Sequence, residues 1–396
     1  MSQTRRALVL GAGLVLGAVS AAHAQGGLRA IWGSGPADVW AVGSASTALH
    51  FDGQAWTQVP FGVPVSGYLS AVWGSGPNSV FVGGEEGTIL RWNGRAWTRM
   101  TVPTDRAIVA LAGRSALNVY ALAQSYNDRE APTLLHWDGR AWTPTPLPLP
   151  FQANALSLAG ASVLVAGFVM NDPTPDQRRA FGVLARRVAA RWAMTGWNGR
   201  LVTDRVVAGA GWYTVGAVGP AILLTGERED GERALALSRG ATFTLLPPVG
   251  AAAAGSRVTA AFLAADGVPV AFLDQGGLAR YLGGAWVAAG GGAQMMQAPQ
   301  LAQNPMAFAL EAAAWSDIGN TNAAWGPSSD FLAVTDNGRI IRVQGSGARI
   351  VYDASCADPR MAGINPVCQG LAQQQGVASQ QAPRLVLPMP SRRVKP

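Results

Sequence analysis

The sequence predicts an all-β fold, a seven-bladed β-propeller built from four-stranded antiparallel blades. Three observations carry that expectation. The segment "AIWGSGPADVWAVG" at 30–43 returns as "AVWGSGPNSVFVGG" at 71–84 and, worn, as "AAWGPSSDFLAV" at 323–334. Trp32 and Trp73 are 41 residues apart, Trp56 and Trp97 also 41, and Trp97 and Trp142 are 45 apart. Within each repeat, short apolar runs are separated by Asp-Gly or Asn-Gly, whose residues accept the positive φ angles of tight hairpins. A fixed period of roughly 40 residues marks a stacked architecture. Four short strands per period make a propeller blade, and such a blade must be copied because only its neighbours can cover its faces.

The elements follow in order. In the first unit "LRAIWG" is a strand, "SGPAD" a turn, "VWAVG" a second strand, "TALHF" a third, "DGQ" a turn and "AWTQVP" a fourth. The second unit repeats this with "LSAVWG", "VFVGG", "TILRWNGR" and "AWTRMTVP", and the third with "IVALAG", "NVYALA", "TLLHWDGR" and "AWTPTPLP". Blade 4 reads as "ALSLAG", "VLVAGFV", "VAARWAMTGWNGR" and "LVTDRVV". Blades 5 to 7 run from "WYTVGAV" to "ARIVYD", which places the propeller strands within 28–353. The segment 290–320 fits no blade, so counts of six or eight stay open, and "MAFALEAAAWSD" within it reads as a short helix or a stray strand.

The ends differ from this body. "MSQTRR", the apolar "ALVLGAGLVLGAVSAA" and the small-x-small site Ala22-His23-Ala24 have the anatomy of a secretory signal. The sequence thus divides into a signal at 1–24, a propeller at 25–355 and a disulfide-containing loop with a low-complexity tail at 356–396. Cleavage after Ala24 removes Arg5 and Arg6 and lowers the formal charge from +7 to +5. Twin-arginine export is the alternative to the general route. The mature chain has no apolar run of membrane-spanning length, and the expectation is a periplasmic or secreted protein, monomeric and without a cofactor. Charged residues make up 13% of the chain, too few for a disordered polyelectrolyte. Lys395 is the only lysine, and the arginine bias reads as composition more readily than as a nucleic-acid footprint.

The repeats "VWGSGPxDVWAVG" and "HWDGxxW" resemble the tandem propeller repeats of exported bacterial proteins. These lie near the Asp-box propellers and the family of photosystem II assembly factors. The resemblance implies a propeller and a binding or assembly role. The Asp-box form Ser-x-Asp-x-Gly-x-x-Trp is only partly kept, because "FDGQAW" and "WDGRAW" place Asp directly before Gly and lack the Ser. The Gly-His partner of a WD40 repeat is also missing.

Chemistry is sparse in the repeated positions. His50 and His136 occupy the same third-strand site and read as structural, and no zinc spacing exists. Asp38, Asn78, Asn118 and Ser329 in first turns, and Asp52, Asn93, Asp138 and Asn198 in last turns, read as Asx-type turn formers. Trp56, Trp97, Trp142 and Trp286 open fourth strands and read as inter-blade packing, with a carbohydrate platform as the alternative. Cys356 and Cys368 are an even pair in an exported chain and are expected to form a disulfide that pins the ring closure. The "QGLAQQQGVASQQ" beyond them reads as flexible.

The loops joining second to third strands do not repeat, and they hold six of the seven glutamates. Those of blades 3 to 5 are the longest and are expected to raise a charged wall on one face. There Glu130, Arg129, Asp176, Arg178, Glu227 and Arg228 are the candidates for recognising a protein or polysaccharide partner. Exposed-loop polarity alone is the bland alternative. A sialidase-like enzyme needs a Tyr nucleophile backed by Glu and several arginines; Tyr126 with Asp128, Arg129 and Glu130 supplies the residue types without the family's opening motif. The arginine-rich stretch 178–192 reads as a solvated outer strand. No catalytic or metal residue is assigned, and nucleic acid is not an expected partner.

Overall fold

The computed structural model describes residues 27–125, 130–171, 179–196, 203–240, 242–249, 256–274, 276–289, 310 and 313–381. Seven separate four-stranded sheets follow one another along the chain, at 28–58, 69–99, 107–146, 152–196, 211–245, 258–289 and 321–353. Every strand pair is antiparallel and each sheet is a simple meander. This is the seven-bladed propeller expected.

The Trp-Gly repeat is one contact copied around the ring. A Cβ on Gly74 would lie 2.5 Å from the ring of Trp32, one on Gly113 2.4 Å from Trp73, and one on Gly33 2.8 Å from Trp325. Each Trp therefore lies across the first strand of the next blade, where only a glycine leaves room. The same contact that joins blade 1 to 2 and 2 to 3 also joins blade 7 to 1. No strand is exchanged at that closure, since all four strands of blade 7 come from 321–353. The Asn322 side-chain amide instead donates to the Leu28 carbonyl at 2.6 Å.

The fourth-strand tryptophans pack between blades. Trp97 meets Trp40 of blade 1 at 5.2 Å between ring centroids, Trp142 lies in the core shared with blade 2, and Trp286 in that shared with blade 5. Trp97, Trp142 and Trp286 are buried, which removes them as sugar platforms.

Blade 4 departs from its reading. Its third strand is Arg179–Val188 and its fourth Arg191–Gly196, so the arginine-rich stretch is a hairpin of two strands. The turn is made at Ala189, with φ 52°, where no Gly or Asn signals it. Of "LVTDRVV", the described part, 203–207, is not a strand. It holds the short helix α1, Arg205–Ala208, because Asp204 caps the Val206 and Val207 N–H groups.

Within 290–320 the described part is helical, with α2 at 313–317 leading into a 3-10 turn at Ile318–Asn320. Beyond blade 7 come α3, Pro359–Ala362, and α4, Pro366–Gln381. The polar run read as flexible is therefore helical up to Gln381. Its alanines and glutamines favour helix, and Val367 and Leu371 bury against Leu310 and Trp315 in the core of blades 6 and 7. Cys356 and Cys368 form a disulfide, with Cα atoms 5.3 Å apart, that ties α4 to the end of blade 7.

Candidate functional site

The meander sorts the connections onto two faces. First and last turns of every blade lie on one, the turn face. Second-to-third-strand loops and the links between blades lie on the other, the loop face.

The turn face is built for stability. Asp52 accepts from the Gln54 and Ala55 N–H groups at 2.9 Å each, Asn93 from Arg95 and Ala96, and Asp138 from Arg140 and Ala141. These backbone donors hold the Asp52 and Asp138 carboxyls below their ordinary range. Asn198 lies outside the described residues. The first-turn set behaves differently from its Asx reading. Asp38 bonds His50 across the blade at 2.7 Å, and Asn118 bonds His136 at 3.1 Å. Both imidazoles also stack, on Trp40 and Tyr120. Asn78 and Ser329 stand one residue before the equivalent position, which is held by Ser79 and Asp330 at the start of their second strands.

On the loop face, backbone bonds fasten loops to neighbouring links: Ser46 N–H donates to the Gly67 carbonyl, and Gly87 N–H to that of Arg106. At the centre, the first strands of all seven blades enclose a channel of about 530 Å³ whose wall is uncharged. Between blades 5 and 6 a groove of about 340 Å³ shares Thr214, Ala261 and Asn322 with that channel. It continues through Glu227, Arg233, Val258 and Thr259 into a second recess of about 350 Å³ that reaches Glu232, Arg257 and Asp274. The result is one open path from the channel to the rim, lined by apolar and polar groups in its inner part and mainly by polar ones in its outer part.

A three-residue cluster centres this path. The Tyr213 hydroxyl donates to Glu227 Oε2 at 3.3 Å, Arg233 approaches the same oxygen at 3.9 Å, and its guanidinium lies 5.5 Å from the centre of the Tyr213 ring. Burial, and then the Glu227 charge, push the Tyr213 phenol above its usual value, so it remains a hydrogen-bond donor. Asp274 accepts from the Arg257 N–H at 2.9 Å, which fixes the outer end of the groove.

Of the six predicted residues, Glu130, Glu227 and Arg228 are among the described residues. Arg129, Asp176 and Arg178 lie outside those residues, as do Tyr126 and Asp128. Glu130 pairs with Arg106 at 2.8 Å at the junction of blades 2 and 3, and Arg106 also donates to the Ala131 carbonyl. Arg228 lies 3.8 Å from Asp230 within its own loop. Of the three described members, Glu227 lines the groove and Glu130 and Arg228 do not. Tyr213, Thr214, Arg257 and Asn322 were missed because they belong to the starts of first strands and their links, where the repeat draws attention to packing. The available signal was that blade 5 carries "WYTVG" where blades 1 and 2 carry "LRAIW" and "LSAVW". Among the described residues no group of three potential ligands can hold a metal ion, and no helix is long and apolar enough to cross a membrane.

No protein-family model and no curated relative matches the chain. Solved structures match its fold. YCF48 bound to D1 peptide is 11% identical with a TM-score of 0.52, covering 83% of this chain and 93% of that one. YCF48 from Cyanidioschyzon merolae is 13% identical with a TM-score of 0.53, covering 81% and 96%. The β-propeller domain of the Trilobed protease from Pyrococcus furiosus, described as having an open velcro topology, is 12% identical with a TM-score of 0.52, covering 83% and 98%. At these identities the likeness is one of fold. Together with the closed ring of seven meander blades, it makes this chain a β-propeller.

Proposed function

We propose that this chain is an exported binding and assembly module that holds an extended protein segment on its loop face, along the groove between blades 5 and 6. The observation that carries the proposal is the continuity of that groove with the channel. It is open along its length and offers a donor (Tyr213), an acceptor (Glu227) and cations (Arg233, Arg257) in succession. Such a row suits main-chain amides and side chains of an extended polypeptide better than it encloses a small molecule. YCF48, a propeller of similar fold, is bound to D1 peptide, which supports a polypeptide as the partner. The signal at 1–24 supports export, and a mature chain beginning at Gln25 is the expected product; an intact Met1 on the exported protein contradicts it.

The test is a paired substitution. Tyr213→Phe with Arg233→Gln should weaken binding of the native partner about 30-fold, a loss of roughly 2 kcal/mol for truncated charge-assisted contacts. Asp52→Asn on the turn face should leave affinity unchanged. The reverse result places binding on the wrong face. The Tyr213–Glu227 pair also favours a second reading, a glycan-acting enzyme. The raised phenol, the neighbourhood of only two arginines and the open walls count against it. Release of methylumbelliferone from a panel of glycosides, lost in Glu227→Gln, would establish it instead.

A further inference from the structure

A second groove, of about 740 Å³, lies between blades 2 and 3 and carries Arg91 and Arg140, with no carboxylate on its wall among the described residues. Its space comes from the repeat. Five residues past the fourth-strand tryptophan stand Phe61 in blade 1, Val102 in blade 2 and Leu147 in blade 3. Phe61 is buried and meets the Trp97 ring of the next blade at 5.2 Å, and Leu147 is buried likewise. Val102 is smaller, only partly buried, and lines the open groove.

The charge has the same origin. In blades 1 and 7 the basic residue of the third strand faces a carboxylate, His50 with Asp38 at 2.7 Å and Arg342 with Asp330 at 2.8 Å. In blade 2 the equivalent pair is Arg91 and Ser79. Neither the Arg91 Nε nor the Ser79 hydroxyl, both buried, has a hydrogen-bond partner. Arg91 lies over the Phe81 ring on the side facing blade 3. Arg99 borders the groove through its strand, while its guanidinium turns to the blade 1 side and donates to the Pro64 carbonyl and the Thr88 hydroxyl. The fourth strand Trp97–Arg99, roughly 10 Å long, is the free edge of its sheet, and the wall continues beyond it from Met100 to Pro103.

We propose that this groove binds an extended acidic polypeptide segment, which adds to the edge of blade 2 and neutralises Arg91 and Arg140. Edge addition supplies main-chain hydrogen bonds and alternate side chains reach the pocket, here as carboxylates. This site is separate from the groove between blades 5 and 6.

The probe is a fluorescein-labelled octapeptide of alternating Glu and Val, titrated by anisotropy into the full mature chain. It should bind with an affinity that falls as salt is raised, while the Lys-Val counterpart should not. Val102→Phe, which supplies the plug that blade 1 already has, should weaken binding at least tenfold, as should Arg91→Gln with Arg140→Gln. Arg95→Gln, a charge removed beside the groove, should change it less than twofold. Unaltered melting temperatures establish that each variant is folded. No binding of the octapeptide at millimolar concentration overturns the proposal, as does wild-type affinity in Val102→Phe. An oligogalacturonate of equal charge that binds more tightly, with the same dependence on Val102, assigns the groove to a polysaccharide and overturns it too.

Discussion

Blades 1 to 3 and blades 4 to 6 use the same four-stranded plan in opposite ways. In the first group each blade follows the repeat, the Trp-Gly contact recurs, and first-turn and last-turn residues serve the same hydrogen bonds twice or more. In the second group those signatures fade. Blade 4 has second and third strands of 10 residues each, and blade 5 has a fourth strand of only 2. It is there, at the junction of blades 5 and 6, that Tyr213, Glu227 and Arg233 converge. What repeats maintains the ring, and what departs from the repeat is free to recognise a partner. The groove between blades 2 and 3 obeys the same rule locally, because it exists where Ser79 and Val102 break their series.

The comparison can be broken most forcefully at the interlock. Gly74→Val places branched carbons against the Trp32 ring and should cost more than about 3 kcal/mol, read as loss of the folded baseline in urea. Gly35→Ala, two residues from the matching Gly33 and with open space around its Cβ position, should stay within about 0.5 kcal/mol. Equal effects at both sites would remove the packing explanation of the motif.

Replacing Cys356 and Cys368 by Ser should cost about 2–3 kcal/mol on the chain-entropy account of a short loop. Hydrogen exchange should locate the loosening in α4 and blade 7, with blades 1 to 3 unaffected. Uniform loosening of the whole ring would mean that the disulfide governs closure, which the Trp325–Gly33 contact already provides.

Acid sharpens the same contrast. The hydrogen bonds from Arg342 hold the Asp330 carboxyl below 3.8. A depressed carboxyl contributes stability that is present above its unfolded value and lost as pH falls through the folded one. Asp330→Asn should therefore be less stable than the parent at pH 7, by at most about 1 kcal/mol for this solvent-screened pair. The difference should shrink below about pH 4. A difference that persists at pH 2 would point to packing rather than charge. At the small end, Tyr213→Phe should move stability by less than about 0.5 kcal/mol while reducing partner affinity.

How far the sequence could be read follows the same division. The blade count, the strand boundaries of blades 1 to 3 and the roles of Asp52, Asn93 and Asp138 were legible because copying a residue at a fixed period exposes its structural duty. Blade 4 was misread because Ala189 turns a hairpin without a turn residue's signature, and because Asp204 caps a helix inside an apolar run. The helical end of the chain was hidden by polar composition, since its burial depends on Leu310 and Trp315, which are distant from it in sequence. Of the residues proposed to recognise a partner, Glu227 was legible as a charged loop residue. Tyr213 was not, because its role depends on two strands meeting at Tyr213 and Glu227, and pairing partners of that kind leave no local pattern.

The central claim is that the loop face at blades 5 and 6 carries the partner and the turn face does not. The most direct test places one photo-crosslinking residue at Tyr213 or at Gln54, which borders the Asp52 turn, in the protein in its native setting. The account predicts a discrete adduct to a single polypeptide from position 213, competed away by the unlabelled chain, and none from position 54. An adduct from position 54 with none from 213 would contradict it.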